Sequence, residues 1–236
     1  MTASAVPRTA RERARIELTR EIMEVARRQL AEHGAPALSL RAVAREVGLV
    51  SASALYRYFP GRDALLTALI IDAYGALGDA AEAAEAKVHR HDVLTRWVAV
   101  GRGVRAWATA NPHEYALIYG SPVPGYAAPQ DTVGPATRVP LLLGSLLRDM
   151  LNTDPAVEFP VPRRVHRSLR PVLSTMPPGV SDDLMVRGLM AWTYLFGAVS
   201  FEVFGHRHKV IDDYDAFFDH EIKRLGTLLG FARPPN

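Results

Sequence analysis

Apolar residues recur along this chain at steps of three and four. From Glu17 to Glu32, Leu18, Ile22, Val25, Ala26 and Leu30 fall on one helical face, and Gly34 is placed to end the helix. Ser39 precedes LRAVAREV, whose Leu40, Val43, Ala44 and Val47 share a face; Ser39 is the expected N-cap and Gly48 the stop. Ser51 is the next expected N-cap, opening a short helix that Pro60 limits through its effect on Phe59. An Ala- and Leu-rich pattern then predicts a long helix from about Arg62 to Glu85.

The remainder keeps the helical period, with proline as punctuation. Helices are expected over Val93–Ala110, His113–Tyr119, Val139–Leu151, Arg163–Thr175 (with a break or kink at Pro171), Ser181-capped 182–205, and Asp212–Leu229 closed by Gly230. The segments GSPVPGYAAPQDT and TDPAVEFPVP read as loops. No stretch alternates as a strand would, so the expected class is all-α.

Residues 39 to 59 are two short helices joined at a glycine and preceded by a longer one, the layout of a helix-turn-helix. The second short helix begins SASA and ends YRYF. Small side chains at Ser51, Ala52, Ser53 and Ala54 let the backbone approach base edges and phosphates closely. Ala can meet a thymine methyl, and Ser bonds either way. Tyr56, Arg57 and Tyr58 can donate to phosphate oxygens that flank the groove, which positions the protein without reading bases. Ser39 and Arg41 start the preceding helix, where a phosphate would also lie. Leu55 and Phe59 are expected to face inward. The bland alternative for Tyr56–Tyr58 is a solvated helix end. For Ser39 and Arg41 it is a cap and a surface arginine.

Charge supports a polyanion partner at this end. Through Arg62 there are 11 Arg and 6 Glu, a net of +5; the whole chain of 236 residues is +3, so residues 63–236 carry −2. Arg outnumbers Lys 25 to 3, which accounts for the choice of cation and not for its clustering. Residues 1–15, with Arg8, Arg11, Arg13 and Arg15, read as a flexible basic arm that grips DNA, or as a tail without a role.

The absence of cysteine excludes disulfides, thiolate metal sites and cysteine nucleophiles. The N-terminus has no apolar run of the signal-peptide kind, and LMAWTYLFGAVSF reads as too short for a bilayer. The expectation is a soluble, cytoplasmic protein with no membrane partner. The histidines at 89, 91, 206 and 208 lack zinc-site spacing, so no metal and no cofactor is expected.

The segment from about Ile16 to Leu77 resembles the TetR family of bacterial transcriptional regulators. The resemblance is carried by His33-Gly34 at the end of the first helix, by LSLRAVAREVG, and by ALYRYFPGRDALL with Arg62 opening the fourth helix. It adds Arg62 to the expected DNA contacts. One feature departs from the family: seven steps usually separate the turn glycine from the tyrosine, and Gly48 to Tyr56 is eight. The extra residue is Leu49 or Val50, either a harmless bulge or a rotation of the reading helix.

PHEYALIYGSPVPGYAAP and AWTYLFGAVSFEVFGH are similar to a C-terminal domain of TetR-like proteins named for a Trp-His-Gly trio. Trp192 and Gly197 fit the trio, and Phe196 stands at the histidine position, which implies a more apolar effector. The resemblance implies a homodimer formed through the last two long helices and a pocket for an unknown small-molecule effector. Trp107, Tyr115, Tyr119, Trp192 and Phe196 are its candidate lining; plain core is the alternative for each. The implied organisation is an arm at 1–15, a three-helix helix-turn-helix DNA-binding domain at 16–62, and a larger helical ligand-binding and dimerisation domain at 63–236.

The functional expectation is a sequence-specific regulator, a repressor released by its effector and bound as a dimer to a palindromic double-stranded operator. The alternatives are an all-α enzyme, for which G-x-S-x-G, H-E-x-x-H and a phosphate loop are all missing, and a non-specific architectural DNA binder.

Overall fold

A computed structural model describes residues 9–150, 160–173 and 181–231, all of them helical or connecting, with no strand among them. The helices are α1 Ala10–His33, α2 Leu40–Glu46, α3 Ala52–Leu55, α4 Arg62–Glu85, α5 Val93–Ala110, α6 Pro112–Tyr119, α7 Val133–Ala136, α8 Arg138–Met150, α9 Arg163–Leu173, α10 Asp182–Val203 and α11 Tyr214–Leu228. Short 3₁₀ turns lie at Ala35–Ala37 and Gln130–Thr132.

α1 starts earlier than its apolar pattern. Thr9 caps it in a reciprocal box, its hydroxyl accepting from the Glu12 amide at 3.2 Å and its own amide donating to Glu12 at 3.0 Å. The expected arm is corrected accordingly: Arg11, Arg13 and Arg15 are helical, and Arg8 lies outside the described residues. The loop expected at TDPAVEFPVP and the end of the helix expected to reach Thr175 fall largely outside them too.

Two compact units divide the chain, one of residues up to 73 with 113–132, the other of 74–112 with 133 onward. The division falls inside α4 rather than at its start, and α6 joins the first unit. That unit buries Ile22, Val25, Ala26 and Leu30 of α1 with Leu38, Val43, Ala44, Leu55 and Phe59. Leu65, Leu66 and Leu69 of α4 and Tyr115 of α6 are buried there too. The Thr67 and Tyr126 hydroxyls, 2.9 Å apart, fasten the following loop.

In the second unit, α5 packs against α8, α10 and α11. Trp97 is fully buried, donates its indole N–H to the Ile222 carbonyl at 2.8 Å and stacks on Phe231. Two buried arginines fasten this core. Arg96 bonds Asp149 at 2.7 Å and pairs with Glu85, and Arg187 donates to the Leu229 carbonyl at 2.9 Å. α10 runs through LMAWTYLFGAVSF and, like α4, is long and apolar enough by length and composition to cross a bilayer. The sequence expectation of a too-short stretch left out the first turns of this helix. About half of each such window is buried inside the protein.

Candidate nucleic-acid interface

The helix-turn-helix is built from local signals. Gly34 ends α1 with φ +75°, a positive-φ backbone that glycine alone adopts without cost. Ser39 caps α2, accepting from the Ala42 amide at 3.4 Å. α2 then stops at Gly48, φ +77°, where the Gly48 amide donates to Arg45 O and the Leu49 amide to Ala44 O at 2.9 Å.

The structure distinguishes the two candidates for the extra turn residue. Leu49 is half-buried beside this cap, whereas the Val50 side chain is as exposed as in an extended peptide (103%). Ser51 has the extended backbone of an N-cap, but its hydroxyl lies 2.6 Å from that of Ser53 and does not cap an amide. α3 is a single α-turn, Ala52–Leu55, continued by the Arg57 amide to Ala54 O and the Tyr58 and Phe59 amides to Leu55 O. A helix this short has little macrodipole, so phosphate attraction here rests on side chains.

Leu55 and Phe59 point inward, as expected. Ser51, Ser53, Tyr56 and Arg57 are exposed, Ala54 and Tyr58 half-buried, and Ala52 opens the turn. Arg41 is exposed and Ser39 half-buried at the start of α2. Among the described residues, no side-chain hydrogen bond or ion pair engages Arg41, Tyr56, Arg57 or Tyr58, so two guanidinium groups and two phenols remain available.

Other arginines nearby are engaged. Arg62, an expected DNA contact, is also engaged within the protein: it donates to Ala35 O at 2.9 Å and Leu38 O at 3.3 Å, holding the segment before α2. Arg28 binds Glu46 at 2.8 Å and ties α1 to α2; this hydrogen bond holds the Glu46 carboxyl below its ordinary pKa. Arg27 joins α1 to Asp72 of α4 and to Glu114 of α6 (2.7 Å). Burial pushes the Glu114 pKa up despite that partner. Sequence pattern could not separate free arginines from engaged ones, because the partners lie far along the chain, as Glu114 does from Arg27.

The expected effector residues are distributed over both units. Tyr115 is fully buried and packs on Tyr119 (centroids 5.1 Å apart) in the first unit, which reads as core. Trp107, Trp192 and Phe196 belong to the second. Trp107 is half-buried, Phe196 is buried, and Trp192 is partly exposed and meets Phe196 edge to face.

Comparisons with known proteins agree with this architecture. The family described as "Bacterial regulatory proteins, tetR family" matches residues 22–69, and "Tetracyclin repressor-like, C-terminal domain" matches 97–225. The chain is 39% identical over 224 residues to the HTH-type transcriptional regulator Rv1816 of Mycobacterium tuberculosis, covering 92% of this chain and 94% of that protein. Mb1846 of Mycobacterium bovis matches with the same figures. The crystal structure of the regulatory protein SCO4313 superposes with TM-score 0.76 at 34% identity, covering 92% of this chain and 98% of that one. The TetR regulator PfmR from Thermus thermophilus shares the fold, with TM-score 0.55 at 17% identity over 89% of this chain and 96% of its own. Helix-turn-helix, helical C-terminal domain and relatives together make this chain a transcriptional regulator of the TetR family.

Proposed function

We propose that this regulator is a homodimeric, cytoplasmic repressor that binds a near-palindromic operator and leaves it when a small effector binds. The observation that carries the DNA-binding reading is the set of unengaged donors, Arg41, Tyr56, Arg57 and Tyr58, around the small residues 51–54 on a braced scaffold. Ser39, Arg41, Tyr56, Arg57 and Tyr58 take phosphate positions; Ser51, Ala52, Ser53 and Ala54 approach the bases.

Dimerisation is supported by apolar side chains left exposed on the last two helices: Met190, Tyr194 and Phe201 of α10, and Phe217 and Leu228 of α11. Met190, Tyr194, Gly197 and Phe201 follow helical spacing, and a Cβ at Gly197 would meet open space. A patch of this kind on a water-soluble chain marks an interaction surface. Two recognition segments in a dimer would meet half-sites about 34–36 Å apart. An effector binding in the C-terminal domain releases DNA only through its differential affinity for the two conformations, with coupling of about 1–3 kcal/mol.

The test is binding of the purified chain to the DNA flanking its own gene against a scrambled duplex, at near-physiological salt. A preference of about 10³-fold or more establishes a specific regulator. Equal, steeply salt-dependent binding to both would instead make it an architectural binder. Sedimentation of the free protein checks the dimer.

A further inference from the structure

The lengthened turn puts one apolar side chain where the rest of the fold has no use for it. Of the two candidates for the extra residue, Leu49 is half-buried and its amide bonds the Ala44 carbonyl, whereas Val50 is left fully outside. Its neighbours in sequence cannot screen it: Ser51 and Ser53 are small, exposed and bonded to each other. It stands immediately before the segment that a helix-turn-helix sends into the major groove. The unengaged Arg41 and Arg57 lie on the same helix-turn-helix, one on each side of the turn in sequence.

We propose that Val50 is a base-reading residue that packs on the C5-methyl group of a thymine. The inference rests on the DNA-binding reading above and goes beyond it, since a turn of the usual length has no residue here. The chemistry selects the partner. Valine has no donor or acceptor, and the apolar group that base edges display in the major groove is the thymine methyl. The insertion therefore adds a contact to the reading head while the Leu49 amide keeps the cap on α2.

The test replaces each thymine of the operator, in turn, by deoxyuridine, which removes one methyl and leaves every hydrogen-bonding group. The unsubstituted protein should lose about fourfold in affinity at one thymine of each half-site, the value of one buried methyl-sized group. Replacing both symmetric thymines should cost about fifteenfold if the half-sites add. Val50→Ala should bind the thymine operator more weakly and lose that uracil sensitivity, while its melting temperature stays unchanged because Val50 buries nothing. A uracil penalty that persists undiminished in Val50→Ala, or none at any position in the unsubstituted protein, overturns the proposal. Failure to prefer any duplex would overturn the operator reading instead, and this contact with it. A variant lacking Val50 gives a second check: it should bind the uracil operator as well as the thymine one.

Discussion

The Arg62 guanidinium donates to the Ala35 carbonyl at 2.9 Å, so the first residue of α4 holds the turn that leads into α2. The Leu38 carbonyl is taken as well, so this one side chain braces both ends of the segment that precedes α2. Arg62→Ala should lower stability by about 1–2 kcal/mol, the scale of lost hydrogen bonds at part-buried carbonyls, and should weaken operator binding through misplacement of α2. Arg62→Lys should recover only part, because an ammonium cannot reproduce the planar fork. Urea titration checks the first effect. An unchanged midpoint with weakened DNA binding would return Arg62 to a direct phosphate contact.

Tyr56 is half-exposed, and its phenol bonds no other described side chain. Tyr56→Phe removes one donor and no packing. It should weaken binding to all duplexes by a similar factor, roughly 10–150-fold for a hydrogen bond to a charged group. Comparing the operator with a panel of single-base variants checks this. A changed sequence preference would show that Tyr56 reads a base.

Gly226 lies where α11 crosses α5: a Cβ there would come within 2.5 Å of Trp97 Cδ1 and 2.7 Å of Leu94 Cδ1. Trp97 cannot move aside without giving up its bond to the Ile222 carbonyl. Gly226→Ala should therefore destabilise the second unit by about 1–3 kcal/mol. Thermal unfolding followed by tryptophan fluorescence measures it. An unchanged melting temperature would mean that the α5–α11 contact is looser than these distances require.

Glu114 supplies a pH dependence with a definite sign. Burial raises its pKa above the ordinary 4.5, while Arg27 pulls the other way and Asp72 and Glu24 add to the rise. The folded state thus holds this proton more tightly than the unfolded state does. Its contribution is complete below the ordinary value and is lost as pH rises through the raised one. Glu114→Gln cannot titrate. The stability of the natural protein relative to this variant should fall as pH increases across the mildly acidic range, as read from urea midpoints at several pH values. A difference that grows with pH would mean that the Arg27 pairing outweighs burial.

Much of the fold is legible residue by residue. Ser39 and Ser181 cap helices where their sequence positions place caps, the latter accepting from the Leu184 amide at 3.2 Å. Gly34, Gly48 and Gly230 are stops, and each has positive φ. Ser51 shows the limit of such signals: its hydroxyl has a rival partner two residues on, and nothing in its immediate sequence ranks the two bonds. The apolar period places the start of α1 too late because its first two turns bury nothing and so carry no such period.

What the sequence by itself determined is therefore what depends on neighbours within about four positions: helix faces, caps, glycine stops and the order of parts in the helix-turn-helix. The tertiary structure decided which members of similar pairs do what. Leu49 is half-buried and Val50 fully exposed; Arg57 is left free, while Arg62 holds a carbonyl 27 positions away and Arg27 a carboxylate 45 positions away. The physical reason is that a guanidinium or an apolar side chain has no preferred partner until the chain brings one within reach, and that distance is set by packing between helices.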